Sequence, residues 1–189
     1  MKITRRTLLV NGIRGLLAAD LAASFIGRKS LEVVENVLPI EGLPGEFEGF
    51  RISHVSDIHS SFWVPESYIR RCVDVVNSLG SDAVALTGDF ITGSMPFLTG
   101  TIGRFDPVYL NRCVRGLSGL QPPLKLAVLG NHDMWSGEAE AFRIANTLES
   151  IGIKVLRNRN IAIRREGNAL HILGVDDYWS SSFNIKKAL

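Results

Sequence analysis

From Phe50 onward the chain alternates short apolar runs with amphipathic helical stretches, and this alternation constrains the fold more than any other feature. Residues 50–56 form the first run. Pro65 to Gly80 follows with Ile69, Cys72, Val73 and Val76 at helical spacing and a glycine stop. Ala83 to Thr87 is the second run. Asp106-Pro107 then reads as a cap and first helical turn, ahead of Leu110, Cys113, Val114 and Leu117. Leu124 to Leu129 is the third run, and residues 138–151 the third helix, with Ala141, Ile144, Ala145, Leu148 and Ile151 inward and Gly152 as the stop. Ile153 to Leu156, Ile161 to Ile163 and Leu170 to Val175 are further short strands. Such a pattern predicts an α/β domain with a parallel βαβαβ core and a largely parallel sheet. In such sheets ligands collect beyond the carboxyl ends of the strands.

Those ends are where the chemistry is spelled. The first strand leads into Ser56-Asp57-Ile58-His59, the second into Thr87-Gly88-Asp89 and the third into Gly130-Asn131-His132-Asp133. Asp57 and His59 are two residues apart, so in an extended segment they share a face and grip one cation. Carboxylate oxygen with imidazole suits manganese, iron or zinc. The Asp89 carboxylate has two oxygens and can bridge a pair of ions, the usual clamp for phosphate-ester hydrolysis. Asn131 offers a neutral oxygen to the second ion. His132 is then free to protonate a departing alkoxide. For Asp133 two roles stand side by side, orienting His132 or capping the helix that starts beyond Ser136. Any one of these motifs is also a common turn former. Their recurrence at three successive strand ends is what points to a metal site. His54 and His171 lie inside predicted strands and read as packed or edge residues.

Together these residues resemble the calcineurin-like metallophosphoesterases, and within them a bacterial branch that carries a twin-arginine leader. The resemblance runs from about Phe50 to the last residue and includes Gly174-Val175-Asp176-Asp177-Tyr178-Trp179. It implies a layered sandwich with two divalent metal ions (manganese, iron, zinc or similar). Asp57 and His59 would bind one, Asp89 would bridge, Asn131 would bind the other, and His132 would be catalytic. Members of the family continue with a strand ending in histidine and then a Gly-His-x-His motif. The chain ends at Leu189 with no later histidine, so the resemblance implies that the C-terminal part of the domain is missing. Three readings follow: a metal-dependent phosphoesterase, a catalytically incompetent truncated remnant, or one half of a split enzyme.

Ahead of the domain, residues 1–29 hold six basic side chains and one acid, with Arg5-Arg6 followed by a weakly apolar stretch. This resembles a twin-arginine export signal, with a plain amphipathic helix as the alternative. A working leader places the protein in the periplasm or cell envelope or at the membrane as a peripheral contact; without one it stays cytoplasmic. Residues 30–49, with Pro39, Gly42, Pro44 and Gly45, read as a connector into the N-terminal part of a metallophosphoesterase domain spanning 50–189. Removing the leader leaves 15 basic and 18 acidic residues, which gives no electrostatic footprint for nucleic acid. Cys72 and Cys113 fall on apolar helix stripes and read as buried thiols. Phe62, Trp63, Phe90, Ile91, Met95, Phe97, Leu98, Ile102 and Trp135 crowd the three motifs. They suit either a rim for a lipid-linked phosphate ester or the packing of a loop onto the domain.

Overall fold

The computed structural model describes residues 31–92 and 105–189. Two units divide the chain, Met1–Pro39 and Ile40–Leu189. In the first, residues 31–39 carry no helix or strand. Among the described residues no helix is long and apolar enough to cross a membrane.

The second unit is built from β1 (Ile52–Val55), α1 (Glu66–Ser78), β2 (Ala83–Thr87), α2 (Pro107–Leu117) and β3 (Leu124–Val128). A short α3 (Asn131–Trp135), α4 (Glu138–Glu149) and β4 (Lys154–Val155) come next, then the hairpin β5 (Arg159–Arg165) and β6 (Asn168–Gly174), and α5 (Ile185–Ala188). Strands β1 to β4 form one parallel sheet in sequence order, as the alternation predicts. The hairpin pairs antiparallel in a sheet of its own. The sequence marks both segments as short strands without giving their pairing. A chain that turns back through Glu166-Gly167, both at positive φ, has no crossover helix and can only pair antiparallel.

The core lies between the parallel sheet and its helices. Val84, Leu86, Ala127 and Leu129 from the sheet side meet Ile69, Val73 and Val76 of α1, Leu110, Cys113, Val114 and Leu117 of α2, and Ile144 and Leu148 of α4. The helix stripes predicted from spacing are therefore the buried faces. Cys113 is buried and Cys72 partly so, both free thiols, and burial raises the pKa of each. The opposite sheet face carries Ile52 and His54, which stay exposed on β1. The hairpin approaches that face further along, with Gly174 lying against Leu156 and Val128. His54 is thus a surface residue that hydrogen-bonds Thr87 Oγ1 through Nε2 at 2.7 Å.

Within the expected connector, residues 45–47 form a 3₁₀ turn whose Phe47 is 1% exposed. Arg165 of β5 is the reason. Its guanidinium stacks on Phe47 and Phe50, donates to the Glu46 carbonyl at 3.0 Å and pairs with Asp82 at 2.7 Å.

Candidate metal centre

All three motifs lie just past the carboxyl ends of β1, β2 and β3. The first two loops are zipped together by backbone hydrogen bonds: Asp57 N donates to Gly88 O (3.2 Å), His59 N to Asp89 O (2.8 Å) and Ser60 N to Phe90 O (2.9 Å). Asp57, His59 and Asp89 each sit at positive φ, 54°, 47° and 53°. A non-glycine residue there costs on the order of 1–3 kcal/mol and persists only where the surroundings over-determine it. Here the interloop bonds do so. The expectation that Asp57 and His59 meet because an extended segment alternates faces is therefore replaced. Left-handed turns at both residues bring them together, with His59 Nε2 3.7 Å from Asp57 Oδ1.

The third loop joins through two glycines that permit contact no side chain would allow. A Cβ on Gly88 would stand 2.2 Å from Gly130 N, and one on Gly130 would stand 2.2 Å from Asp89 Oδ1. The close approach lets His132 N donate to Asp89 Oδ1 at 3.0 Å. Asn131 lies between Gly130 and His132, both of which touch Asp89.

Asp133 is 1% exposed. Its Oδ1 accepts from Phe90 N at 2.9 Å and its Oδ2 from Gly130 N at 3.0 Å. Of the two roles the sequence allowed, the contacts are those of a cap, but for α3 rather than α4: Asp133 is the third residue of α3 and reaches back to the amide before it. Both carboxylate oxygens are engaged by backbone, so the orienting contact with His132 gives way to a tie between loops. Burial raises the Asp133 pKa to about 7, with the nearby Asp89 charge acting in the same direction against the backbone donors.

One ligand atom each from His59, Asp89 and His132 lie within 4.8 Å of one another. His59 Nε2 is 3.3 Å from Asp89 Oδ2. Its Nδ1 meets Thr92 Oγ1 at 3.0 Å, which fixes the ring and turns Nε2 toward the carboxylates, the arrangement of a metal-ligating histidine. The His59 and His132 rings meet edge to face at 4.7 Å, and Trp135 lies 4.2 Å beyond His132. Two imidazoles and a carboxylate on one point fit a divalent transition metal. Asp57, with its side chain 65% exposed, flanks this group rather than sharing its centre.

Of the apolar residues near the motifs, Phe90 and Ile91 are core, at 0% and 1% exposure. Phe62, Trp63 and Trp135 are exposed. Met95, Phe97, Leu98 and Ile102 lie outside the described residues. Sequence reasoning missed Thr92, whose only signal is its place three residues after Asp89. It also missed Arg157 and Asn158, which hold the buried Asp176 carboxylate while Arg157 grips Glu138 at the start of α4. The twin carboxylates draw the Arg157 pKa upward. The Gly174–Trp179 segment is thus anchored beside α4.

Comparison with known proteins bears on this arrangement. YkoQ of Bacillus subtilis, an uncharacterized metallophosphoesterase, is 31% identical over 84% of this chain and 55% of its own length. The phosphodiesterase YaeI of Escherichia coli is 28% identical over 69% of this chain and 45% of its own. The UDP-2,3-diacylglucosamine pyrophosphatase LpxG of Chlamydia muridarum is 33% identical over 48% of this chain and 26% of its own. The chain spans about half the length of the first two relatives and about a quarter of the third. The sequence profile of the calcineurin-like phosphoesterases matches residues 50–185, which hold every residue of the cluster. The chain belongs to the calcineurin-like phosphoesterase family.

Proposed function

We propose that this chain provides a two-metal site for hydrolysing a phosphate ester, whether monoester, diester or pyrophosphate. Asp57 and His59 hold one divalent cation, Asp89 bridges, Asn131 holds the second, and His132 serves as the general acid. The observation that carries the reading is the convergence of His59, Asp89 and His132 ligand atoms within 4.8 Å at the carboxyl ends of three parallel strands. When bound, such cations supply Lewis acidity toward a phosphoryl oxygen and lower the pKa of water. Asp89 keeps one oxygen on the His132 backbone amide and the other beside the His59 imidazole, so it ties the third loop to the first. With its ring between His59 and Trp135, His132 would give a proton to the leaving oxygen.

Asp57, His59 and Asp89 give one cation three protein donors, and Asp89 with Asn131 give the second two. Three protein donors with the remaining positions open to water or substrate are the pattern of a catalytic metal site. Activity is expected to depend on added manganese. Hydrolysis of a chromogenic phosphodiester, lost with chelator and in Asp89→Ala, is the expected result. Metal binding without turnover would overturn the hydrolytic reading, and absence of both would end the metal-site reading.

A lipid-linked phosphate ester is the substrate class we favour. Its support is the exposed Phe62, Trp63 and Trp135 flanking the site and the diacylated substrate in the name of LpxG. Residues 1–29, which lie outside the described residues, are assigned as an export signal or peripheral anchor on the early position of Arg5-Arg6 ahead of a weakly apolar stretch.

A further inference from the structure

Asp133 is the largest chemical investment near the site that the proposed reaction leaves unused. A carboxylate at 1% exposure is costly unless its oxygens are engaged. Its partners are not on one loop. Phe90 N belongs to the loop that carries Asp89, and Gly130 N opens the loop that carries Asn131 and His132. Asp89 returns the connection, because its own Oδ1 accepts from His132 N at 3.0 Å. The two loops are thus crossed by reciprocal carboxylate-to-amide bonds, one from each side, around the glycine pair that forbids any side chain between them.

We infer that Asp133 is a positioning residue: by clamping the Phe90 and Gly130 amides it sets the separation of Asp89 from Asn131 and His132, and so the geometry of the metal centre. It touches neither substrate nor cation. It acts through backbone, and His132 needs no side-chain contact with it. Asparagine cannot replace it, since its amide group would present a donor to a donor.

Two measurements test this on the full chain. In the unsubstituted protein, hydrogen exchange at the Phe90 and Gly130 amides is expected to follow one shared opening equilibrium, since one carboxylate holds both. Distinct opening equilibria at the two amides would overturn the clamp, whether or not any variant folds. In Asp133→Asn, exchange at these two amides rises, and manganese affinity, read from broadening of the His59 and His132 imidazole resonances, falls by about 10- to 100-fold, as for other residues that support a ligand. Leu117→Ala, a core cavity on α2 distant in sequence from all three loops, serves as the control of comparable lost stability and should leave affinity within about two-fold. Equal affinity in Asp133→Asn and Leu117→Ala would overturn the inference. The affinity arm rests on the metal reading proposed above. If manganese leaves the unsubstituted chain's imidazoles untouched while the two amides still open together, that reading fails and the clamp stands.

Discussion

His132 occupies the position where two chemical roles compete. Its ring nitrogen belongs to the group that could hold a cation, yet its stacking between His59 and Trp135 also suits a proton donor. The roles separate kinetically. With a general-acid His132, His132→Asn should lower kcat by about 10²- to 10⁴-fold while leaving manganese affinity unchanged. Loss of affinity by an order of magnitude or more would instead make it a ligand. At this scale much of the site was legible, because Asp57, His59, Asp89, Asn131 and His132 announce themselves by side-chain chemistry at strand ends. What was not legible is backbone. The positive φ of Asp57, His59 and Asp89 has only a weak sequence signal, since Asp and His visit that region more often than most residues but glycine is its usual marker. Asp133 was visible as a residue but not in its tie to the Phe90 amide, 43 positions away.

Elements were read well where a helix shows its own start and stop. Asp106 followed by Pro107 marked the beginning of α2, and the Asp106 carboxylate accepts from Val108 N at 2.9 Å. Asp106→Ala should therefore cost about 1 kcal/mol of stability, measured by urea denaturation, with metal binding unaffected. A cost indistinguishable from zero would mean that water replaces the cap. The short α3 escaped notice for a physical reason. At five residues it is below the length at which periodicity can be detected, and its formation depends on the clamp at Asp133 and the close passage of Gly130 rather than on an apolar stripe. The hairpin was recognised as strands but not as a pair, because short apolar runs such as Ile161 to Ile163 carry no sign of their partner.

Across the whole unit, Arg165 and Asp82 tie the hairpin to the entry of the parallel sheet, at the opposite end from the metal centre. Asp82 accepts from Arg51 N at 2.8 Å and from Arg165 at 2.7 Å. Its pKa is lowered, first by the Arg51 amide and then, against the opposing effect of burial, by Arg165. A carboxyl group whose folded pKa lies below its unfolded value of 3.8 adds stability that is fully present above that value. This stability is lost as pH falls through the folded pKa, because the proton must then be taken up by a group the fold prefers ionised. Asp82→Asn removes the charge but keeps an acceptor for Arg51. The substitution should thus lower stability by about 1 kcal/mol at pH 7, and the gap between the two proteins should close as pH drops below about 4. Urea melts at a series of pH values read this directly. A gap that stays constant down to acid pH would show that Asp82 acts by shape alone, and that the hairpin is held to the sheet by the stacking of Arg165 on Phe47 and Phe50.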